Sequence, residues 1–228
     1  MIAHRGSSAR HADNTWAAFN AAVAEGADAI ECDVMSTHDG TLVVRHDLTL
    51  AGRQIADLDA AQIEAIAPGT VRLADVIAWA AGARIDLLVE VKHPDAAEAI
   101  GALVSASAWR EHIVMAGFHG PSLAALKQAD PGLRTSFMMG SVVTADDLVL
   151  LATRYRADGV HPCWEGRAAR PHRLLDAGFV DRVRSAELTL TLWHEEREEE
   201  LCALVALAPD AICTNTPAVL RAIVGARD

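Results

Sequence analysis

Short apolar runs alternate along this chain with longer Ala- and Leu-rich stretches. Runs rich in Val, Ile and Leu lie near 2–5, 29–34, 86–91, 112–117, 134–138, 158–162, 188–193 and 211–214. Between most of them, apolar positions recur at helical spacing in 15–25, 73–81, 95–108, 121–129, 145–155, 171–178 and 196–207. Alternation of strand and helix is the pattern of repeated βαβ units on a parallel sheet. Eight strands favour closure into an α/β TIM (β/α)8 barrel over an open sheet. No repeat, low-complexity tract or linker interrupts the series, so residues 1–228 are expected to form one barrel domain.

A ninth run, 41–46, does not fit the parallel count. It follows the second strand after only a few residues, with Asp39-Gly40 between them. A parallel crossover needs about a dozen residues or more, whereas Asp-Gly is a hairpin signal. Residues 29–46 therefore read as a hairpin that brings His46 back beside Glu31 and Asp33. The segment 47–72 then becomes a short insertion on the barrel rim, with Ile55, Leu58, Ile63 and Ile66 as its interior.

Charged and imidazole groups stand at the ends of several strands. They are His4-Arg5, Glu31 and Asp33, Arg45-His46, Glu90 and Lys92, and Trp193-His194. Side chains alternate across a strand, so Glu31 and Asp33 share a face while Cys32 points away, and Glu90 pairs with Lys92 in the same way. In a barrel the C-terminal strand ends converge on one mouth, where catalytic groups collect. Three converging carboxylates repel one another unless cations intervene. A hard divalent ion suits all-oxygen ligation; structural ion pairs with Arg5, Arg45 and Lys92 are the other reading. His4 and His46 are candidate proton-transfer groups, because imidazole titrates near neutrality. Arg5 has the planar fork that grips phosphate, Asn14-Thr15 reads as a helix cap, and Trp193 stands as a pocket wall or as barrel packing.

Composition narrows the partners. The net charge is −11, and no basic patch offsets it, which argues against nucleic acid and against stable association with an anionic membrane. Hydrophobic residues make up 51% and aromatics only 4%, so the core must be built from Ala, Val, Leu and Ile. Cys32, Cys163, Cys202 and Cys213 show no CxxC spacing. The N-terminus runs at once into a strand, and no apolar run approaches the roughly 20 residues of a membrane span. A soluble cytoplasmic protein is the expectation.

In order and spacing these residues resemble the glycerophosphodiester phosphodiesterase family. The resemblance runs from His4-Arg5-Gly6 through Asn14-Thr15 with Phe19, then Gly26-Ala27-Asp28 leading to Glu31-x-Asp33-Val34. It continues with Thr37-x-Asp39-Gly40, Val43-Val44-x-His46-Asp47, Glu90-x-Lys92 and Trp193. It implies a TIM barrel with a divalent metal, Ca²⁺ or Mg²⁺, on Glu31, Asp33 and Glu90. It makes His4 and His46 the catalytic acid–base pair, and Arg5 and Lys92 the phosphate contacts, with Asn14 and Trp193 as further substrate-binding residues. The substrate it implies is a small-molecule glycerophosphodiester, cleaved to glycerol 3-phosphate and an alcohol. The chain departs from the family in four places. Asp13 precedes Asn14 where Glu is usual, the segment after His46 lacks an Arg-Thr-Thr run, and His194-Glu195-Glu196 follows Trp193. Thr214-Asn215-Thr216-Pro217 stands for the usual Thr-Asp-Arg-Pro, a change read here as structural. His119 and Trp164 lie just past strand ends and read as packing or solvated positions. The competing functions are a non-catalytic phosphate-binding barrel, a metal-dependent sugar isomerase or aldolase, and a lysophospholipase D-like enzyme.

Overall fold

The computed structural model describes residues 1–175 and 177–226. Eight parallel strands close into a barrel: β1 (Ile2–Ala3), β2 (Ala29–Ser36), β6 (Asp86–Val91), β7 (Ile113–Gly117), β8 (Arg134–Met139), β9 (Gly159–Pro162), β10 (Thr189–His194) and β11 (Ala211–Thr214). The cylinder closes where β1 pairs with both β2 and β11. Around it lie helices α1 (Trp16–Ala24), α3 (Leu73–Ala83), α4 (Ala97–Ser105), α5 (Gly120–Ala129), α6 (Ala145–Arg154), α7 (Ala177–Ser185), α8 (Glu198–Ala206) and α9 (Pro217–Gly225). Among the described residues no helix is long and apolar enough to cross a membrane.

The period of two along each strand separates two cores. Outward residues such as Ile30, Cys32, Val34, Val89 and Met115 pack against the helices in the main cluster. Inward residues Ile2, Leu88, Ala116, Met138 and Cys213 form a separate plug inside the barrel. Ile2 lies two residues before His4, and Leu88 two before Glu90. The plug therefore fills the barrel below the level at which the charged strand ends emerge.

The predicted hairpin is present. β2 pairs antiparallel with β3 (Leu42–Val44), Val34 opposite Val44 and Ser36 opposite Leu42. Gly40 turns at a φ of 78°. Thr37 Oγ1 donates to Asp39, whose carboxylate in turn accepts from the Ala60 backbone N–H at 3.3 Å. The hairpin is thereby tied to the insertion, which contains β4 (Thr49–Leu50), β5 (Arg53–Gln54) and α2 (Ala60–Ile66). Ile55, Leu58 and Ile63 are buried there against Met35 and Val43, as their pattern suggests. Ile66 is not: it is exposed, because it sits on the last turn of α2 beyond the reach of that small core.

Three element expectations need correction. The seventh helix is not 171–178 but a 3-10 turn at Pro171–Leu174 followed by α7; Asp176, inside the expected span, lies outside the described residues. A final helix, α9, was not in the predicted series; Pro217 starts it and its apolar stripe packs beside α8. β1 ends at Ala3 rather than at residue 5, because Arg5 and Gly6 take positive φ values of 56° and 84°. That turn aims the side chains after β1 into the barrel mouth.

Candidate active site

Register sets the acidic cluster. β2 and β6 pair so that Asp33 lies beside Glu90, and the inward period adds Glu31 one layer below Asp33. Candidate ligand oxygens of Glu31, Asp33 and Glu90 lie within 4.8 Å of one another, and all three residues are buried. Lys92 Nζ reaches Asp33 Oδ1 at 3.2 Å and Glu90 Oε1 at 3.1 Å. Arg5 Nε lies 3.1 Å from Asp33 Oδ2, and the Arg5 backbone N–H donates to Glu31 Oε2 at 2.9 Å. Three carboxylates thus face two side-chain cations.

The imbalance falls on Glu31. Burial, then the neighbouring charges of Asp33 and Glu90, push its carboxyl well above the usual range. Burial and Asp33 likewise raise Glu90, against the pull of Lys92. Burial would also raise Asp33, but Lys92, Arg5 and the Asn14 amide outweigh it and hold Asp33 below its ordinary value. Lys92 is the converse case: burial opposes its charge, and Glu90 and Asp33 more than restore it. Glu31 Oε1 is buried with no hydrogen-bond partner among the described residues. A buried orphan oxygen among surplus carboxylates is a costly arrangement that a hard divalent cation would relieve. The donor set fits such an ion.

The barrel mouth opens into a cavity of about 270 Å³ that Glu31, Glu90 and Lys92 help to line. His4 and His46 both line it, in different surroundings. His4 is largely buried, its side chain 13% accessible, whereas the His46 side chain is 41% accessible and pairs with Asp47 at 2.9 Å. The hairpin holds His46 in place, since the Arg45 backbone N–H donates to the Asp33 carbonyl at 2.9 Å. Burial, followed by the charges of His194 and Arg5, depresses His4 to about 3, so its ring is neutral. Trp193 also lines the cavity, with its indole N–H buried and without a partner among the described residues.

Asn14 does not line the cavity. It stands behind the site, donating from Nδ2 to Asp33 Oδ2 at 2.8 Å while its Oδ1 accepts from the Asp33 backbone N–H. The helix cap is Thr15, whose Oγ1 accepts from the Ala18 N–H. Asp13, one methylene shorter than the residue usual there, pairs with Arg5 at 3.2 Å. His119, just before α5, bonds the Ser122 hydroxyl through Nδ1 at 2.8 Å, and Trp164 is wholly buried against Phe179, in line with packing roles.

Two site residues, His161 and Asn215, escape a reading of strand ends, and the orientation of His194 escapes the period of two. His161 points inward from β9, is buried and is held near 3 by desolvation and by the His194 charge; the Gly159–His161 alternation was the available signal. His194 would point outward from β10 if the period of two held. The register slips between Leu192 and His194, which pairs with Cys213, so Trp193 and His194 both reach the cavity. That irregularity leaves no mark in the sequence. Asn215, within the changed 214–217 stretch, also reaches the site. Its Oδ1 lies 2.6 Å from His4 Nδ1.

The model of the glycerophosphoryl diester phosphodiesterase family matches residues 4–219. The chain belongs to this family. A glycerophosphodiester phosphodiesterase of Caldanaerobacter subterraneus subsp. tengcongensis is 25% identical to it, covering 96% of this chain and 95% of the relative. The fold resembles that of a glycerophosphodiester phosphodiesterase from Parabacteroides distasonis, with a TM-score of 0.83 at 20% identity over 99% of this chain and 96% of that one. It also resembles a phosphodiesterase of Oleispira antarctica solved in complex with its product sn-glycerol-3-phosphate, at TM-score 0.83 and 20% identity over 98% of this chain and 96% of that one. The family match begins at His4, the first residue of the mouth, and runs past Asn215, so it spans every side chain of the site.

Proposed function

We propose that this protein hydrolyses glycerophosphodiesters to glycerol 3-phosphate and a free alcohol, with Ca²⁺ or Mg²⁺ held by Glu31, Asp33 and Glu90. The observation that carries the reading is the surplus of buried carboxylate beside Arg5 and Lys92, at a cavity bracketed by two histidines. A divalent cation on that cluster supplies Lewis acidity that offsets negative charge on the phosphoryl oxygens. The remaining chemistry belongs to the side chains. Arg5 and Lys92 orient the phosphate and compensate its charge. His4, buried and neutral, accepts a proton from the attacking water as the water oxygen forms the new bond to phosphorus. His46, at the exposed rim, hands a proton to the departing alkoxide as the old P–O bond breaks. The presence of a bound glycerol 3-phosphate in the similar Oleispira antarctica enzyme supports the product assignment.

The test is release of glycerol 3-phosphate from glycerophosphocholine and glycerophosphoethanolamine, after chelation and again with Ca²⁺ or Mg²⁺ restored. Release that disappears on chelation and returns with the cation is expected. No release under any of these conditions, from folded protein, overturns the reading. His46→Ala should lower kcat by about 10²–10⁴-fold, the usual weight of a general acid, while cation binding followed by calorimetry is unchanged.

A further inference from the structure

Closure of the barrel brings together two residues 211 positions apart. β11 lies beside β1, with Ala3 opposite Thr214, and the His4 backbone N–H donates to the Thr214 carbonyl at 2.9 Å. The next residue, Asn215, therefore stands beside the His4 ring, its Oδ1 2.6 Å from Nδ1. An amide oxygen can only accept, so the nitrogen facing it carries the hydrogen. The other ring nitrogen, Nε2, then bears the lone pair and faces the carboxylate side of the cavity, 3.9 Å from Glu31 Oε2.

The amide is itself held. Ser8 Oγ lies 2.7 Å from the same Oδ1 and 2.7 Å from the His4 carbonyl oxygen, its single hydrogen shared between the two acceptors, and the Asn215 backbone N–H donates to Glu196 Oε1 at 3.3 Å. That Glu196 oxygen also lies 3.2 Å from His194 Nδ1. The His194 ring in turn lies flat on His4, with centroids 4.4 Å apart and planes 9° from parallel. One network thus sets the plane of the His4 ring and the atom that its Nδ1 faces. We infer that Asn215 is the positioning residue that locks His4 in the Nδ1–H tautomer, with Ser8 and the stacked His194 holding amide and ring in line. A ring so fixed presents an unprotonated Nε2 to the attacking water without having to flip. The inference rests on the hydrolytic role proposed for His4, and its spectroscopic test is independent of that role.

Asn215→Leu removes the acceptor at similar volume, and Asn215→Asp restores one. Nitrogen-15 spectra of the imidazoles, assigned with a His4→Gln control, read the tautomer directly. We expect Nδ1–H at His4 in the wild type, a mixture shifted to Nε2–H in the Leu variant, and Nδ1–H again in the Asp variant. With glycerophosphocholine and a divalent cation, kcat of the Leu variant should fall about 10–100-fold with little change in KM, as when a supporting partner of a site imidazole is lost. The Asp variant should recover most of that loss. Nε2–H at His4 in the wild type, or the same tautomer and the same kcat in the Leu variant, overturns the inference. Should the Leu variant not fold, Asn215→Ala is read in the same way. If the wild-type protein turns over no glycerophosphodiester, the functional proposal fails, and the tautomer in the Asn215 variants alone decides the role of Asn215.

Discussion

The residues that could be read directly are those whose chemistry conflicts with their neighbours. Glu31, Asp33 and Glu90 sit in runs of Ile, Val and Leu, where a carboxylate is costly without a partner, and each proved to be part of the cluster. His161 meets the same criterion but carries a weaker signal, because only one imidazole interrupts a four-residue strand. Its burial has a consequence for stability. Above pH 6.5 the ring is neutral in both the folded and the unfolded chain and contributes no pH dependence. Below 6.5 the unfolded chain takes up a proton that the folded chain refuses until about pH 3, so stability falls as the pH falls through that window. Between pH 7 and pH 5 this one ring should cost about 2 kcal/mol. Urea unfolding at the two pH values should show a correspondingly shallower loss in His161→Leu; equal losses in variant and wild type would refute the assignment.

At the scale of elements, backbone conformation decides which side chains reach the mouth. The turn after β1 illustrates it. Gly6 has a φ of 84°, and a Cβ built there would lie 2.6 Å from the Ala18 backbone of α1. Gly6→Ala therefore meets both an unfavourable φ and a backbone clash, and should lower stability by about 2 kcal/mol or more. Denaturant titration checks this, and a loss below about 0.5 kcal/mol would mean that the turn rearranges freely. The hairpin at Asp39-Gly40 was legible because its turn chemistry is local. The slip in β10 was not, since it depends on how β10 seats against β11. The same limit applies to α7 and α9, whose boundaries follow from a 3-10 turn and from packing beside α8.

For the molecule as a whole, the carboxylate cluster sets function against stability. The barrel holds Glu31 in a place where burial and two neighbouring carboxylates disfavour its charge. Glu31→Gln replaces that charge with a neutral amide, and the cation-free protein should gain about 1–3 kcal/mol. In the wild type, a divalent cation at about 100 times its Kd should contribute about 2.7 kcal/mol, raising Tm by about 5–10 °C for a chain of this size. Thermal melts with chelator and with added cation distinguish the two proteins: the wild type should respond and Glu31→Gln should not. A cation-dependent rise of equal size in both would remove Glu31 from the ligand set.

Periodicity and strand-end chemistry determine much of this molecule. Alternation of strand and helix specified the barrel, the period of two placed Glu31 with Asp33 and Glu90 with Lys92, and Asp39-Gly40 turned His46 toward them. All of these follow from residues within one element or across one tight turn, where covalent geometry determines which side chains share a face. Asn215 on His4, His194 stacked over that ring and Asn14 behind Asp33 follow from contacts between distant segments. They exist only because eight strands close into a cylinder and a register slip turns one imidazole inward. The sequence therefore determined the carboxylates, cations and imidazoles at the strand ends, and tertiary closure decided which further groups join them and which atoms face one another.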